Sequence, residues 1–232
     1  MNWRLGSLYN ERVLPRMVDA MCANPEMLPW REKAIAGLEG VIVEIGFGSG
    51  ANTSVYPAEV TRVFAVEPSQ QALRLAEPKL AAERATRSAA GAHYPMVEQV
   101  GLTGELLPLA TDSCDGALST FTLCTIPDVT AALNELRRVI KPGGQFHFLE
   151  HGLSPDAPIA KWQRRLDPLQ GKLAGGCHLT REMSELVEAS GFHIESITSR
   201  YARGPKPWTW FSIGRAINPE TAANPQERRV FQ

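Results

Sequence analysis

The chain has 232 residues, a formal net charge of −1, and 44% hydrophobic and 21% charged residues. Such a chain can bury one full core, and its near-neutral balance excludes bulk attraction to nucleic acid or to an anionic membrane. The opening stretch MNWRLGSLYNERV lacks the apolar core of a signal peptide, and no run of about 18 apolar residues occurs, so a cytoplasmic protein with no membrane span is expected. Cys22, Cys114, Cys124 and Cys177 are scattered without a CxxC pair, which predicts reduced thiols and no metal site.

Residues 8 to 23 carry apolar side chains at roughly helical spacing, interrupted by Pro15, and residues 26 to 37 suggest a second short helix. Strands follow at VIVEI (41–45) and RVFAVE (62–67), then a helix over 70–85 that Pro78 should interrupt. A third strand is expected near 96–102 and a fourth near 115–123. The helix over 127–140 puts Val129, Leu133, Leu136 and Ile140 on one face, and Pro142-Gly143-Gly144 should stop it. A fifth strand at 145–151, a helix over 157–173 and a helix capped by Thr180 and ended by Gly191 come next. The runs 192–202 and 208–217 are joined too closely for a crossover helix, so they should pair antiparallel. This order predicts an α/β fold, an open and mostly parallel sheet with helices on both faces and ligands at the carboxyl ends of its strands. Three segments are expected: a helical lid over 1–38, the sheet domain over 39–218, and a polar tail over 219–232.

The densest glycine cluster is VEIGFGSG, residues 43–50. Gly46, Phe47, Gly48, Ser49 and Gly50 leave the first strand. They are expected to open a helix, whose free N–H groups and positive dipole end favour an anionic or carboxylate ligand. Gly46-x-Gly48-x-x-Ala51 also satisfies the dinucleotide fingerprint, and Glu67 at the end of the second strand would accept from ribose hydroxyls in either case. A nicotinamide-dependent oxidoreductase and a cofactor-binding protein without turnover therefore stand beside a transferase on this loop alone.

Other stretches separate them by resemblance. VEIGFGSG resembles the first motif of the class I methyltransferases that use S-adenosylmethionine, and AVEPS (65–69) resembles their ribose-binding strand end. GELLPLATDSCDGALSTFTLCTIPD (104–128) is similar to the stretch with the adenine contacts and fourth strand, and LRRVIKPGGQFHFLEH (136–151) to the helix, turn and fifth strand that follow. Residues 150–182 further resemble the methyltransferase-like 7 group of thiol methyltransferases and its bacterial relatives, through Glu150-His151, Trp162-Gln163, Pro168 and the turn at 176–181. The membrane-anchoring N-terminus of the animal proteins has no counterpart in this sequence.

The resemblance implies a Rossmann-like, seven-stranded sheet with a C-terminal antiparallel pair, and S-adenosylmethionine as cofactor. It implies that the glycine loop passes the methionine portion, that Glu44 reaches its amino group, and that Glu67 takes the ribose with Pro68 beside the adenine. Gly104 and Glu105 would meet the adenine, Thr120 and Phe121 the methionine side, and Asn52 and Tyr9 the carboxylate end. His151 stands where a catalytic base would, and Trp162, Leu166 and His178 would belong to the substrate pocket, with Trp208, Trp210 and Phe211 as further apolar candidates. The expected acceptor is a small, fairly apolar molecule, a thiol or sulfide first and a lipid amine or quinone-like phenol second.

Overall fold

The computed structural model describes residues 9, 13–22 and 24–220; of the lid and tail segments, residues 1–8, 10–12, 23 and 221–232 lie outside the described residues. The chain enters through helix α1 (Leu14–Cys22), a 3-10 turn (Pro25–Met27) and α2 (Leu28–Ile35). Pro15 does not break α1, because it sits in the first turn, where a missing N–H costs nothing. β1 (Gly40–Ile45), β2 (Val60–Val66), α3 (Gln70–Ala89), β3 (Met96–Gly101), β4 (Cys114–Thr120), α4 (Val129–Val139) and β5 (Ile140–His151) follow. Then come α5 (Ala157–Leu173), α6 (Met183–Ala189), β6 (His193–Tyr201), the short α7 (Lys206–Thr209) and β7 (Trp210–Ile217).

All seven strands form one sheet in the order β3-β2-β1-β4-β5-β7-β6. The first five pair parallel, and β7 runs antiparallel to both β5 and β6. Strand alternation divides the core between two faces. Val43 and Ile45 of β1 pack with Leu133 and Leu136 of α4 and Val187 of α6. Ile42 faces the other way, toward Ile35, Tyr56 and Ala76. The chain order reverses between β1 and β4, and the crevice of such a sheet opens at the carboxyl ends of those strands.

Four expectations are corrected. Pro78 lies inside an unbroken α3, because it and Arg74, whose carbonyl loses its helical donor, both face solvent. The Pro142-Gly143-Gly144 turn falls within an irregular start of β5, at a register shift against β4, with Gly143 at φ 80°. Glu182, not Thr180, precedes α6. Finally, the glycine loop opens no helix. Residues 46–55 form successive turns, with Gly50, Thr53 and Val55 each donating to the carbonyl three residues back. Gly46, Gly48 and Gly50 all have positive φ, which a right-handed helix does not accommodate. No helix among the described residues is long and apolar enough to cross a membrane.

Candidate active site

A cavity of about 480 Å³ opens at the carboxyl ends of β1, β2, β3 and β4. Its polar wall begins at the glycine loop. Gly46 has φ 68°, and a side chain there would overlap Thr122, so the turn and the β4 exit must pass in contact. At Gly48, φ 58°, a Cβ would meet only the Gly46 carbonyl oxygen, at 3.7 Å, so this backbone faces open space. Glu67 holds the loop in place: one carboxylate oxygen accepts from the Gly48 N–H and the other from the Ser69 N–H, both at 2.8 Å. Burial raises the Glu67 carboxyl, opposed by those two backbone donors.

Arg31 of α2 forms the second polar wall. It is 3% exposed and lines the cavity. Its Nη1 donates to Asn52 Oδ1 (2.7 Å) and Thr120 Oγ1 (2.9 Å), and Nη2 to the Cys22 carbonyl (2.7 Å). Asn52 in turn donates to Thr120 Oγ1 and to Glu44, both at 2.9 Å. Glu44 also accepts from the Tyr56 hydroxyl at 2.5 Å, and burial pushes its carboxyl up to about 7 against these two hydrogen bonds.

Phe121 follows β4 with φ 55°, an uncommon conformation for a bulky residue. Its N–H donates to the Leu149 carbonyl at 2.8 Å, its ring meets Phe211 edge-on at 5.0 Å, and the Arg31 guanidinium lies 5.5 Å from its centre. Opposite, Leu14, Val18 and Cys22 recur every four residues on one face of α1 and close the cavity from above. α1 is fastened to the sheet domain through Asp19, which pairs with Lys79 at 2.6 Å and accepts from the Ser49 hydroxyl.

Of the sequence-derived cofactor candidates, Gly46, Phe47, Gly48, Ser49, Asn52, Glu67, Pro68, Gly104, Glu105, Thr120 and Phe121 all border this cavity. Gly50 does not; its role is the turn, at φ 71° against Thr53 and Ala76. Glu44 is sealed behind Asn52 and reaches the cavity wall only through it. Tyr9 is also absent from the lining, its hydroxyl donating to the Leu173 carbonyl at 2.7 Å.

The sequence matches a family model described as a methyltransferase domain over residues 43–148, the span from the glycine loop to β5. Thiol S-methyltransferase TMT1B of Rattus norvegicus is 31% identical over 181 residues, covering 77% of this chain and 69% of that protein. The chain belongs to the S-adenosylmethionine-dependent methyltransferases. S-adenosylmethionine is the cofactor of this methyltransferase, and the fold is the Rossmann-like class I fold. It is also similar to a ubiquinone/menaquinone biosynthesis C-methyltransferase, UbiE, of Syntrophotalea carbinolica, 32% identical over 171 residues, covering 68% of this chain and 65% of that protein. Among solved structures, an S-adenosylmethionine-dependent methyltransferase from Thermotoga maritima superimposes with a TM-score of 0.63 at 19% identity, covering 92% of this chain and 99% of that one.

The methyltransferase's other sequence candidates fall outside the cavity lining. His151 is buried at the end of β5, its Nε2 3.0 Å from Cys177 Sγ. Glu150 does not orient it: one carboxylate oxygen accepts from Ser119 Oγ and from the Thr122 and Leu123 N–H groups, pinning the β4 exit. Trp162 is 55% exposed, because α5 turns it to solvent, where Arg165 covers its ring. Leu166 is half-buried, and His178 is held by Asp167 at 3.0 Å. Trp208 is exposed against Gln170, Trp210 packs on Tyr201, and only Phe211 approaches the cavity, through Phe121.

Arg31, Cys22, Thr122, Thr125 and the Ala174-Gly175 turn are cavity residues that the motifs did not indicate. Arg31 left one readable signal. It lies four residues before Ile35 and one after Trp30, so a cation stands on the apolar face of a short helix.

Proposed function

We propose that this cavity binds S-adenosylmethionine with the methionyl carboxylate against Arg31 and the ribose against Glu67, and that the methyl acceptor is a small apolar thiol. The observation that carries the reading is Arg31. A buried guanidinium ordinarily pairs with a carboxylate. Here all three acceptors are neutral, and among the described residues no carboxylate lies in ion-pair range of it. An incoming carboxylate supplies the missing charge, while Asn52 and Thr120 hold the guanidinium plane in position. The open backbone at Gly48 and the second lone pairs of the Glu67 carboxylate fit a ribose and its neighbouring chain. Pro68, Leu102, Gly104 and Ile126 are the lining residues that would take the adenine. The volume lies within the usual range for a ligand of this size.

When bound, the cofactor supplies a sulfonium methyl group already activated toward a nucleophile. What the protein adds is position and exclusion of water. α1 acts as the lid, with Leu14 and Val18 over the cavity, and Phe121, Thr125 and Ala174 wall the acceptor side. Of the carboxylates of the lining, Glu67 is engaged by the Gly48 and Ser69 N–H groups and Glu105 accepts from the Asp128 N–H. A thiol suits such a wall, because it reaches its nucleophilic form in water near neutral pH without a base. The similarity to proteins named thiol S-methyltransferases supports the same choice. His151 serves this reading as a structural neighbour of the wall.

The test is a panel of thiols, phenols and amines, followed by S-adenosylhomocysteine release. Thiols should turn over, with a rate that climbs with pH toward each thiol's own pKa, about 8.5 for a cysteine-like one. His151→Ala should cost under about tenfold, since general-base assistance contributes roughly a hundredfold or more. Turnover of phenols or amines alone would sink the thiol acceptor and leave methyl transfer intact.

A further inference from the structure

Three side chains far apart in sequence meet behind the acceptor-side wall. Cys124 follows β4, His151 ends β5, and Cys177 lies in the turn after α5. Their donor atoms all fall within 4.8 Å of one another. The two sulfurs are 3.9 Å apart, and His151 Nε2 is 3.0 Å from Cys177 Sγ. Two thiolates bound at about 2.3 Å to a tetrahedral ion stand roughly 3.8 Å apart, so the sulfur spacing already matches a bound state.

The backbone holds this spacing. The His178 N–H donates to the Cys124 carbonyl at 2.8 Å, and the Cys177 N–H to the Ala174 carbonyl at 3.1 Å. The other ring nitrogen of His151, Nδ1, is buried without a hydrogen-bond partner among the described residues, and it stays so when Nε2 binds an ion. As thiols, Cys124 and Cys177 make only weak donors and acceptors, so this pocket of polar atoms is poorly satisfied by its own members.

We infer that Cys124, His151 and Cys177 bind a thiophilic, tetrahedral divalent cation of the zinc class. The ion takes one neutral imidazole nitrogen and two thiolates; the two thiol protons leave to solvent, and the charges of the dication and the two thiolates cancel. A neutral assembly is what a buried position tolerates. Three protein donors leave one tetrahedral position for an exogenous ligand. Thr125 lines the cavity, and its hydroxyl is 3.4 Å from Cys124 Sγ. The ion therefore ties the β4 exit, the end of β5 and the Ala174–His178 turn into one wall.

The test is titration of the reduced, chelator-treated full chain with cobalt(II), a spectroscopic stand-in for zinc. Thiolate-to-cobalt charge transfer and the ligand-field bands of tetrahedral cobalt should saturate at one equivalent, and zinc(II) should displace them. Cys124→Ser and Cys177→Ser should each remove the charge-transfer band or weaken affinity by at least about a hundredfold, more than loss of an outer partner costs. His151→Ala should shift the ligand-field bands. Cys114→Ser, at the far end of β4, should leave the spectrum unchanged. S-adenosylhomocysteine binding by each variant certifies its fold. Absence of a thiolate band in the wild-type chain overturns the site, as does an undiminished band in the Cys124→Ser/Cys177→Ser double variant. Methyl transfer by the untreated enzyme is scored separately, so failure here leaves the thiol reading untouched.

Discussion

Replacing Arg31 with methionine removes the guanidinium and keeps much of the side-chain volume. Asn52 Oδ1 and the Cys22 carbonyl lose their donor, while Thr120 Oγ1 keeps the one from Asn52. Unpaired acceptors cost roughly 1–3 kcal/mol, offset in part because a buried charge is no longer desolvated, so the fold should survive with a modest loss of stability. Cofactor binding should suffer more specifically. A hydrogen-bonded charged partner contributes about 1.5–3 kcal/mol, which corresponds to roughly 10- to 150-fold in affinity. Calorimetry with S-adenosylhomocysteine and with 5′-methylthioadenosine, which lacks the amino acid portion, isolates the carboxylate contact. Arg31→Met should weaken the first ligand and leave the second nearly unchanged, collapsing the preference between them. Arg31→Lys should lie between, since an ammonium keeps the charge but not the planar fork. Equal losses for both ligands would mean that the cavity had collapsed, and unchanged S-adenosylhomocysteine affinity would refute the reasoning outright.

Glu67→Gln, which keeps an acceptor for only one of the Gly48 and Ser69 N–H groups, should weaken S-adenosylhomocysteine by roughly tenfold or more, and Glu67→Ala, which frees both, further; unchanged dissociation constants for both remove Glu67 from the ribose site. Gly46→Ala should lower the melting temperature, because its Cβ would lie 1.9 Å from Thr122 Oγ1 at φ 68°. Gly48→Val should keep most of the fold and lose cofactor binding by equilibrium dialysis; the reverse pattern in the pair contradicts the cavity's placement. Glu44 gives a pH dependence. Its folded carboxyl titrates at about 7 against an ordinary 4.5, so its contribution to stability is fully present below 4.5 and is lost as pH rises through 7, by about 3 kcal/mol in all. Urea midpoints measured from pH 4.5 to 8 should show that slope in the wild type and not in Glu44→Gln; equal slopes would remove Glu44 as its source.

What the sequence by itself determined is what short spacing encodes. β1 with its glycine loop, Glu67 at the end of β2, and the antiparallel β6–β7 pair are each set within a few residues by apolar runs, turn residues and linker length. The resemblance then drew these pieces together, and most of its cofactor candidates line the cavity. Tertiary structure decided the contacts between segments distant in the chain. Arg31 meets Thr120 across 89 positions, and no local pattern marks a helix arginine for that meeting. Glu44 has the motif's position but points to the α3 face of the sheet, since strand residues alternate, and there Tyr56 and Asn52 enclose it. Trp162 has the composition of a pocket residue and lies on the solvent side of α5, a choice made by which face of that helix packs. Cys124, His151 and Cys177 carry no recognisable spacing because three different elements deliver them, and only the sheet order brings the ends of β4 and β5 beside the turn after α5.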